Sequence, residues 1–172
     1  RSGLPVNQRF KKTGREYFRI EEYHNALLTY LVLDSISPQN PEYNYCIGVC
    51  YLNSNYKSYA SYYLEAAKNL SAVPSIQDKQ KGVNYSEPEL NYYLGKAYHF
   101  DHQFDKAIKT FQEYLQNLNP DDQERMEEVN RYIGQCHVGK KLVENPINVT
   151  IKNIGKVINS PYADYVPVVS AD

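Results

Sequence analysis

The sequence predicts an all-α protein, a solenoid of three stacked helical hairpins plus a capping helix. Three observations carry this. The stretch from Pro88 to Pro120 reads as one hairpin, with Leu94, Ala97, Tyr98 and Phe100, then Ala107, Ile108, Phe111, Tyr114 and Leu115, at three- and four-residue spacing. Its signature recurs upstream in phase. The apolar share, 42% of the 172 residues, is enough for a core that such hairpins reach only by stacking.

The repeat fixes the elements in order. A leader, residues 1–6, precedes a first unit at about 7–40. A second follows 34 residues later at 41–74, and a third spans 88–121. Counting within each unit, the eighth place is Gly14, Gly48 and Gly95, and the eleventh is Tyr17, Tyr51 and Tyr98. The twentieth is Ala26, Ala60 and Ala107, and the twenty-fourth is Tyr30, Leu64 and Phe111. Small residues suit close crossings of helices, and large apolar ones fill the space between neighbours. Asp101–Gln103 forms the turn of the third hairpin. Residues 75–87, rich in Lys, Gln, Asp and Gly, form an insertion, which in a solenoid maps to a loop on one face.

A capping helix is expected at about 122–142. Asp121 or Asp122 caps its start, and Glu124, Glu127 and Glu128 suit the positive end of its dipole. Val129, Tyr132, Ile133, Cys136 and Val138 form its apolar stripe, and Gly134 takes the repeat's glycine place. Beyond Asn145-Pro146 the period changes. Ile147, Val149 and Ile151 alternate with polar residues, and Val166–Val169 is a second β-like run, so 143–172 reads as a linker and a short extended tail.

The repeat signature resembles the tetratricopeptide repeat, whose unit is 34 residues, over roughly 7–140. Phe10 keeps the family's aromatic residue at the fourth place, which Asn44 and Asn91 replace in the later units. The tail, with Asn153-Ile154-Gly155, Ile158-Asn159-Ser160 and Tyr162–Asp172, is similar to the opening of a truncated PD40 β-propeller. Together with Tyr92–His99 and Phe104–Ile108, it resembles Bacteroidetes envelope proteins that join such repeats to a PD40 propeller and an OmpA-like domain. Among them is the peptidoglycan-associated component of the type IX secretion system. The resemblance implies a periplasmic, outer-membrane-associated protein that reaches peptidoglycan only through domains absent from this chain.

Several function classes are disfavoured. The net charge of −1 gives no global attraction to nucleic acid. No run is long enough for a membrane span. The three cysteines allow no complete disulfide framework, and Cys46 and Cys50 read as small buried residues. His99, His102 and Asp105 have metal-like composition, but no second ligand pair accompanies them, so no metal or other cofactor is expected. No P-loop, dinucleotide fingerprint or nucleophile with an arranged base is present, and no enzyme is expected.

The expected site is the groove lined by the first helix of each unit, whose occupant would be a protein or peptide. Inward places in the first unit give Lys11, Lys12, Arg15, Phe18 and Arg19. The second gives Glu42, Tyr45, Cys46, Val49, Leu52 and Asn53; the third gives Glu89, Tyr92, Tyr93, Lys96, His99 and Phe100. Residues 1–20 hold six Lys or Arg and one acid, so the groove should be basic at its N-terminal end and aromatic beyond. Basic side chains there could pair with a peptide's carboxylates. Self-association through the tail's strand edges is a further expectation.

Overall fold

The computed structural model describes residues 5–71, 87–148 and 150. Among the described residues seven α-helices follow one another: α1 (Val6–Arg19), α2 (Tyr23–Ile36), α3 (Pro41–Leu52), α4 (Ala60–Ser71), α5 (Glu87–Phe100), α6 (Phe104–Gln116) and α7 (Gln123–Glu144). They form three antiparallel hairpins, α1–α2, α3–α4 and α5–α6. Each packs on the next, and α7 closes on α6. Helix α1 begins at Val6, inside the expected leader. Most of the 75–87 insertion and the tail beyond Thr150, including its propeller-like stretch and its expected self-association, lie outside the described residues.

Local chemistry sets the helix ends. The Asn40 side chain accepts from the backbone N–H groups of Glu42 (2.9 Å) and Tyr43 (3.3 Å), and Pro41 opens α3. At α7 the cap is Asp122, which accepts from the Arg125 N–H at 3.1 Å. The first and third hairpins turn in the same way. Glu21 (φ 61°) and His102 (φ 57°) occupy the same place of the repeat, both in the left-handed region. The residue after each closes the helix end: the Glu22 N–H donates to the Tyr17 carbonyl, and the Gln103 N–H to that of Tyr98, both at 2.9 Å. The second hairpin departs from this pattern and inserts a short 3-10 helix at Lys57–Tyr59.

The eighth-place glycines explain how closely each hairpin shuts. A Cβ on Gly48 would stand 2.5 Å from Leu64 Cγ, and one on Gly95 would stand 2.6 Å from Phe111 Cε1. At Gly14 it would meet Thr29 at 3.2 Å and the Tyr30 ring at 3.4 Å. The twenty-fourth-place residue thus fills the volume that its glycine vacates. Tyr30, Leu64 and Phe111 are fully buried there.

Helix α7 corrects one assignment. Gly134 is exposed and a Cβ on it would meet nothing within 4 Å, so it does not take the repeat's glycine place. The 34-residue period, continued from Pro88 to Asp122, puts Val129 at the eighth place and Tyr132 at the eleventh. Val129 is completely buried. Among the described residues no partner helix of its own crosses the position: α7 is the last described helix and runs through to Glu144. Gly139 is the glycine of α7 that matters, since a Cβ there would lie 2.6 Å from the Phe104 ring. Val138 is not part of the buried stripe. It is exposed together with Leu142 and Val143, where α7 runs on toward Glu144.

The core is continuous and rich in tyrosine, with Cys46, Cys50 and Cys136 buried in it as small apolar groups. The first hairpin shows what stacking contributes. Asn44 and Asn91, at the fourth place of later units, are each 4% exposed, whereas Phe10 at that place is 39% exposed. Leu28, Val32 and Ile36 are also exposed, forming an apolar stripe along α2.

Candidate functional site

The first helices of the later hairpins and α7 frame a cleft of about 280 Å³. Its walls are Leu52 and Asn53 from the end of α3, Tyr92, Tyr93, Lys96 and Phe100 from α5, and Arg125 and Tyr132 from α7. Tyr23, at the start of α2, completes the rim.

Lys96 sits among aromatic rings. Its Nζ lies 5.1 Å from the centroid of Tyr92, 5.9 Å from Tyr93 and 5.6 Å from Tyr132. It donates to the Tyr92 hydroxyl oxygen at 3.4 Å. Loss of hydration pulls the Lys96 ammonium below its ordinary pKa; the charge of Glu128 opposes this and that of Arg125 adds to it. Among the described residues no carboxylate comes within ion-pair distance of its Nζ. Glu128 is engaged otherwise. It accepts the Tyr92 hydroxyl proton at 2.7 Å, and Arg125 Nη1 donates to it at 3.2 Å. The Arg125 guanidinium in turn lies 4.3 Å from the Tyr92 ring centroid. Burial pushes the Tyr93 hydroxyl up to about 12, so it stays a neutral donor throughout the working range.

The expected groove residues divide. Asn53, Tyr92, Tyr93 and Lys96 come together in this cleft. Tyr45 and Val49 are buried and offer a partner no surface; the Tyr45 ring instead buttresses Tyr93 edge-on, at 5.9 Å. Tyr92 is itself 3% exposed, so it supports the cleft more than it faces it. Phe18 packs against Tyr23 and Tyr45. His99 contacts the rings of Phe104 and Tyr132, helping to seat α7. Burial, and next the nearby His102, hold its imidazole below the usual histidine pKa. No group of three or more potential metal ligands is assembled among the described residues.

The basic N-terminal end is largely neutralised within the fold. Arg15 Nε and Nη2 donate to the two Glu42 oxygens at 2.7 and 2.8 Å, and Lys11 Nζ lies 3.4 Å from the same carboxylate. Arg19 pairs with Glu16 on the surface, and Lys12 is exposed. The charge count over residues 1–20 missed this, because Glu42, an inward place of the second unit, lies outside that stretch.

Burial alone would raise the Glu42 carboxyl, but the Arg15 hydrogen bonds and the Lys11 charge bring it below its ordinary value of 4.5. Its pairing therefore stabilises the fold above that value and is lost as pH falls through the lower folded value. Glu42→Gln is expected to cost about 1–3 kcal/mol at pH 7 and to flatten the acid limb of stability. Urea unfolding at steps from pH 7 to 3 checks both; an unchanged acid limb would remove Glu42 from it.

Sequence reasoning missed Arg125 and Tyr132, which α7 supplies, and Tyr23. The period held a signal for Tyr132, the eleventh-place tyrosine of a fourth unit. Tyr23 belongs to a second helix, for which no inward places were drawn.

No family model matches the chain, and neither does any curated protein. Solved structures do. The Sgt2 TPR domain from Aspergillus fumigatus superposes with a TM-score of 0.55 at 16% identity, covering 90% of this chain and 91% of that one. The fold is that of a tetratricopeptide repeat. The yeast Sti1 TPR2B domain, solved as a complex with pHsp70, has a TM-score of 0.55 at 10% identity over 77% of this chain and 96% of its own. The Yersinia enterocolitica type III secretion chaperone SycD, solved with a peptide of the translocator YopD, gives 0.57 at 11% identity over 80% and 97%. At these identities the likeness is one of tetratricopeptide architecture.

Proposed function

We propose that this chain is a non-catalytic protein-interaction scaffold whose cleft between α3, α5 and α7 receives a peptide segment of a partner. The observation that carries the reading is the cleft itself: aromatic walls with a half-buried cation, built from first helices of successive units. Two fold neighbours, Sti1 TPR2B and SycD, were solved with a partner or peptide, which supports the same use here. Tyrosine walls offer apolar area with polar tips, which suits a mixed peptide surface.

The finer placement rests on the sequence resemblance. On that reading the scaffold works in the periplasm at the outer membrane, within the type IX secretion system. It is linked to peptidoglycan through domains beyond this chain, and its partners are other envelope or secretion components. A photo-crosslinking amino acid at Phe100, in the cleft, tests the binding role in envelope extract. Protein adducts are expected from Phe100 and not from exposed Gln112 on α6. Equal labelling at both positions, or none at Phe100, would remove the cleft from the account.

One observation favours a second reading, as a structural spacer or self-association module. The exposed stripe Leu28, Val32 and Ile36 at the first hairpin is suited to a second copy. Light scattering over a concentration series separates the readings: a dimer that Val32→Glu dissociates supports self-association, and a strict monomer ends it.

A further inference from the structure

We infer that the second helices carry a binding site of their own, outside the cleft, where Asp34 of α2 and the tyrosines around α4 take an arginine side chain of a partner protein. The first ground is an incomplete ion pair. Asp34 holds the twenty-eighth place of the first unit, and Lys68 holds that place in the second. Lys68 reaches across to the next second helix and pairs with Glu113 of α6 at 3.3 Å. The place of Glu113 is taken in the second unit by Ala66, so α4 brings no cation there to answer Asp34. Among the described residues no basic group comes within ion-pair distance of Asp34. Its Oδ1 is shut away from solvent with no hydrogen-bond partner, and burial holds the carboxyl above its ordinary pKa. A half-buried carboxylate in this state gains more from an incoming cation than a fully solvated one does.

The second ground is a set of tyrosine rings beside it. Tyr51, from the end of α3, stacks on Tyr63 of α4 at 5.5 Å and lies 5.4 Å from Tyr59. Tyr62 meets Tyr63 edge-on at 5.2 Å. Tyr59 and Tyr62 are exposed, and among the described residues none of the four rings carries a cation. Burial, then the neighbouring Tyr51 and the Asp34 charge, hold the Tyr63 hydroxyl above its ordinary pKa, which ties the carboxylate to the rings. The basic residue within this stretch, Lys57, is turned elsewhere. It donates to the Ser54 carbonyl at 2.6 Å and lies 5.7 Å from the Phe100 ring. Neither Asp34 nor any of the four tyrosines lines the cleft.

The ring geometry selects among cations. Tyr63 and Tyr59 lie at 28° and 38° to Tyr51, so the rings form a shelf rather than a closed box. A planar guanidinium stacks on such a shelf and forks onto a carboxylate. A quaternary ammonium is held by rings on several sides, which this array does not offer.

NMR titration of the whole chain with Gly-Arg-Gly and Gly-citrulline-Gly, both with blocked termini, tests this. Citrulline keeps the shape of arginine and loses its charge. Gly-Arg-Gly is expected to shift the signals of Asp34, Tyr59 and Tyr63 and to bind about fivefold more tightly than the citrulline peptide. In Asp34→Asn the two peptides should come within about twofold of each other. The comparison is made within each protein, so it reads the pairing without relying on the variant's stability. Tetramethylammonium should leave the same signals unmoved. Equal affinity for the two peptides in the native chain, shifts confined to Lys96 and Phe100 of the cleft, or no shift with either peptide would overturn the arginine site. Tetramethylammonium bound as tightly as Gly-Arg-Gly would overturn it too, in favour of a small-molecule cation site. None of these results bears on the Phe100 crosslinks, which test the cleft separately.

Discussion

Phe111→Ala is expected to destabilise the protein by about 3–5 kcal/mol, the range for removing a large aromatic side chain from a core. Phe111 is fully buried and does two jobs. Its ring occupies the space left by Gly95, which shuts the third hairpin, and it stacks on Tyr132 of α7 at 5.5 Å with an interplanar angle of 16°. The cavity would therefore open beneath α5 and under the closing helix together, with few neighbours free to collapse into it. Urea unfolding gives the number. A loss below about 1 kcal/mol would mean that the ring is not the joint described here. Tyr132 also lines the cleft, so the same variant should weaken any peptide bound there.

Gly95→Ala is expected to cost about 1–3 kcal/mol, because the added methyl would sit 2.6 Å from a ring pinned on both sides. Gly134→Ala provides the contrast. Its Cβ meets nothing within 4 Å on an exposed helix, so the alanine should stabilise by about 0.5–1 kcal/mol. Combining Gly95→Ala with Phe111→Leu should recover part of the loss, since the smaller side chain leaves room for the methyl. Thermal and urea unfolding of Gly95→Ala, Gly134→Ala, Phe111→Leu and the Gly95→Ala/Phe111→Leu double reads this directly. A Gly95→Ala protein as stable as the native one would show that the hairpin is looser than its geometry indicates.

These two glycines also show how far the sequence could be read. The repeat put Gly14, Gly48 and Gly95 at close-crossing places and Tyr30, Leu64 and Phe111 at space-filling ones, and the structure shows that each glycine faces the large residue of its own unit. Periodicity reports such contacts because both members lie within one unit at a fixed separation. Gly134 was misassigned because a glycine alone carries no register. Val129 and Tyr132, each 34 residues beyond Gly95 and Tyr98 in turn, would have carried it. More simply, Asp122 lies 34 residues beyond Pro88 and so opens a fourth unit as Pro88 opens the third.

The site was harder. Inward places identified Tyr93, Lys96 and Asn53, but not that Tyr45 and Val49 would be sealed by packing from the adjacent unit. The basic groove was a count of charges along α1, and its meaning changed when Glu42 was brought across to Arg15 and Lys11. Contacts between units depend on how the hairpins stack, which no single unit's spacing records. The left-handed turns at Glu21 and His102 were likewise silent, since neither residue is the glycine that such a conformation favours.

A stack of hairpins frays from its ends, because the terminal element has a neighbour on one side only. Here the last described helix is also one wall of the cleft, through Arg125 and Tyr132. A ligand seated against both walls would clasp α7, whose described packing is against α6 and α5, to the helices before it. At a hundred times its dissociation constant it would add about 2.7 kcal/mol to the stability of the closed state. Hydrogen exchange along α7 would then slow while that of α1, at the far end, stayed the same, so that occupancy of the cleft could be followed from the backbone alone.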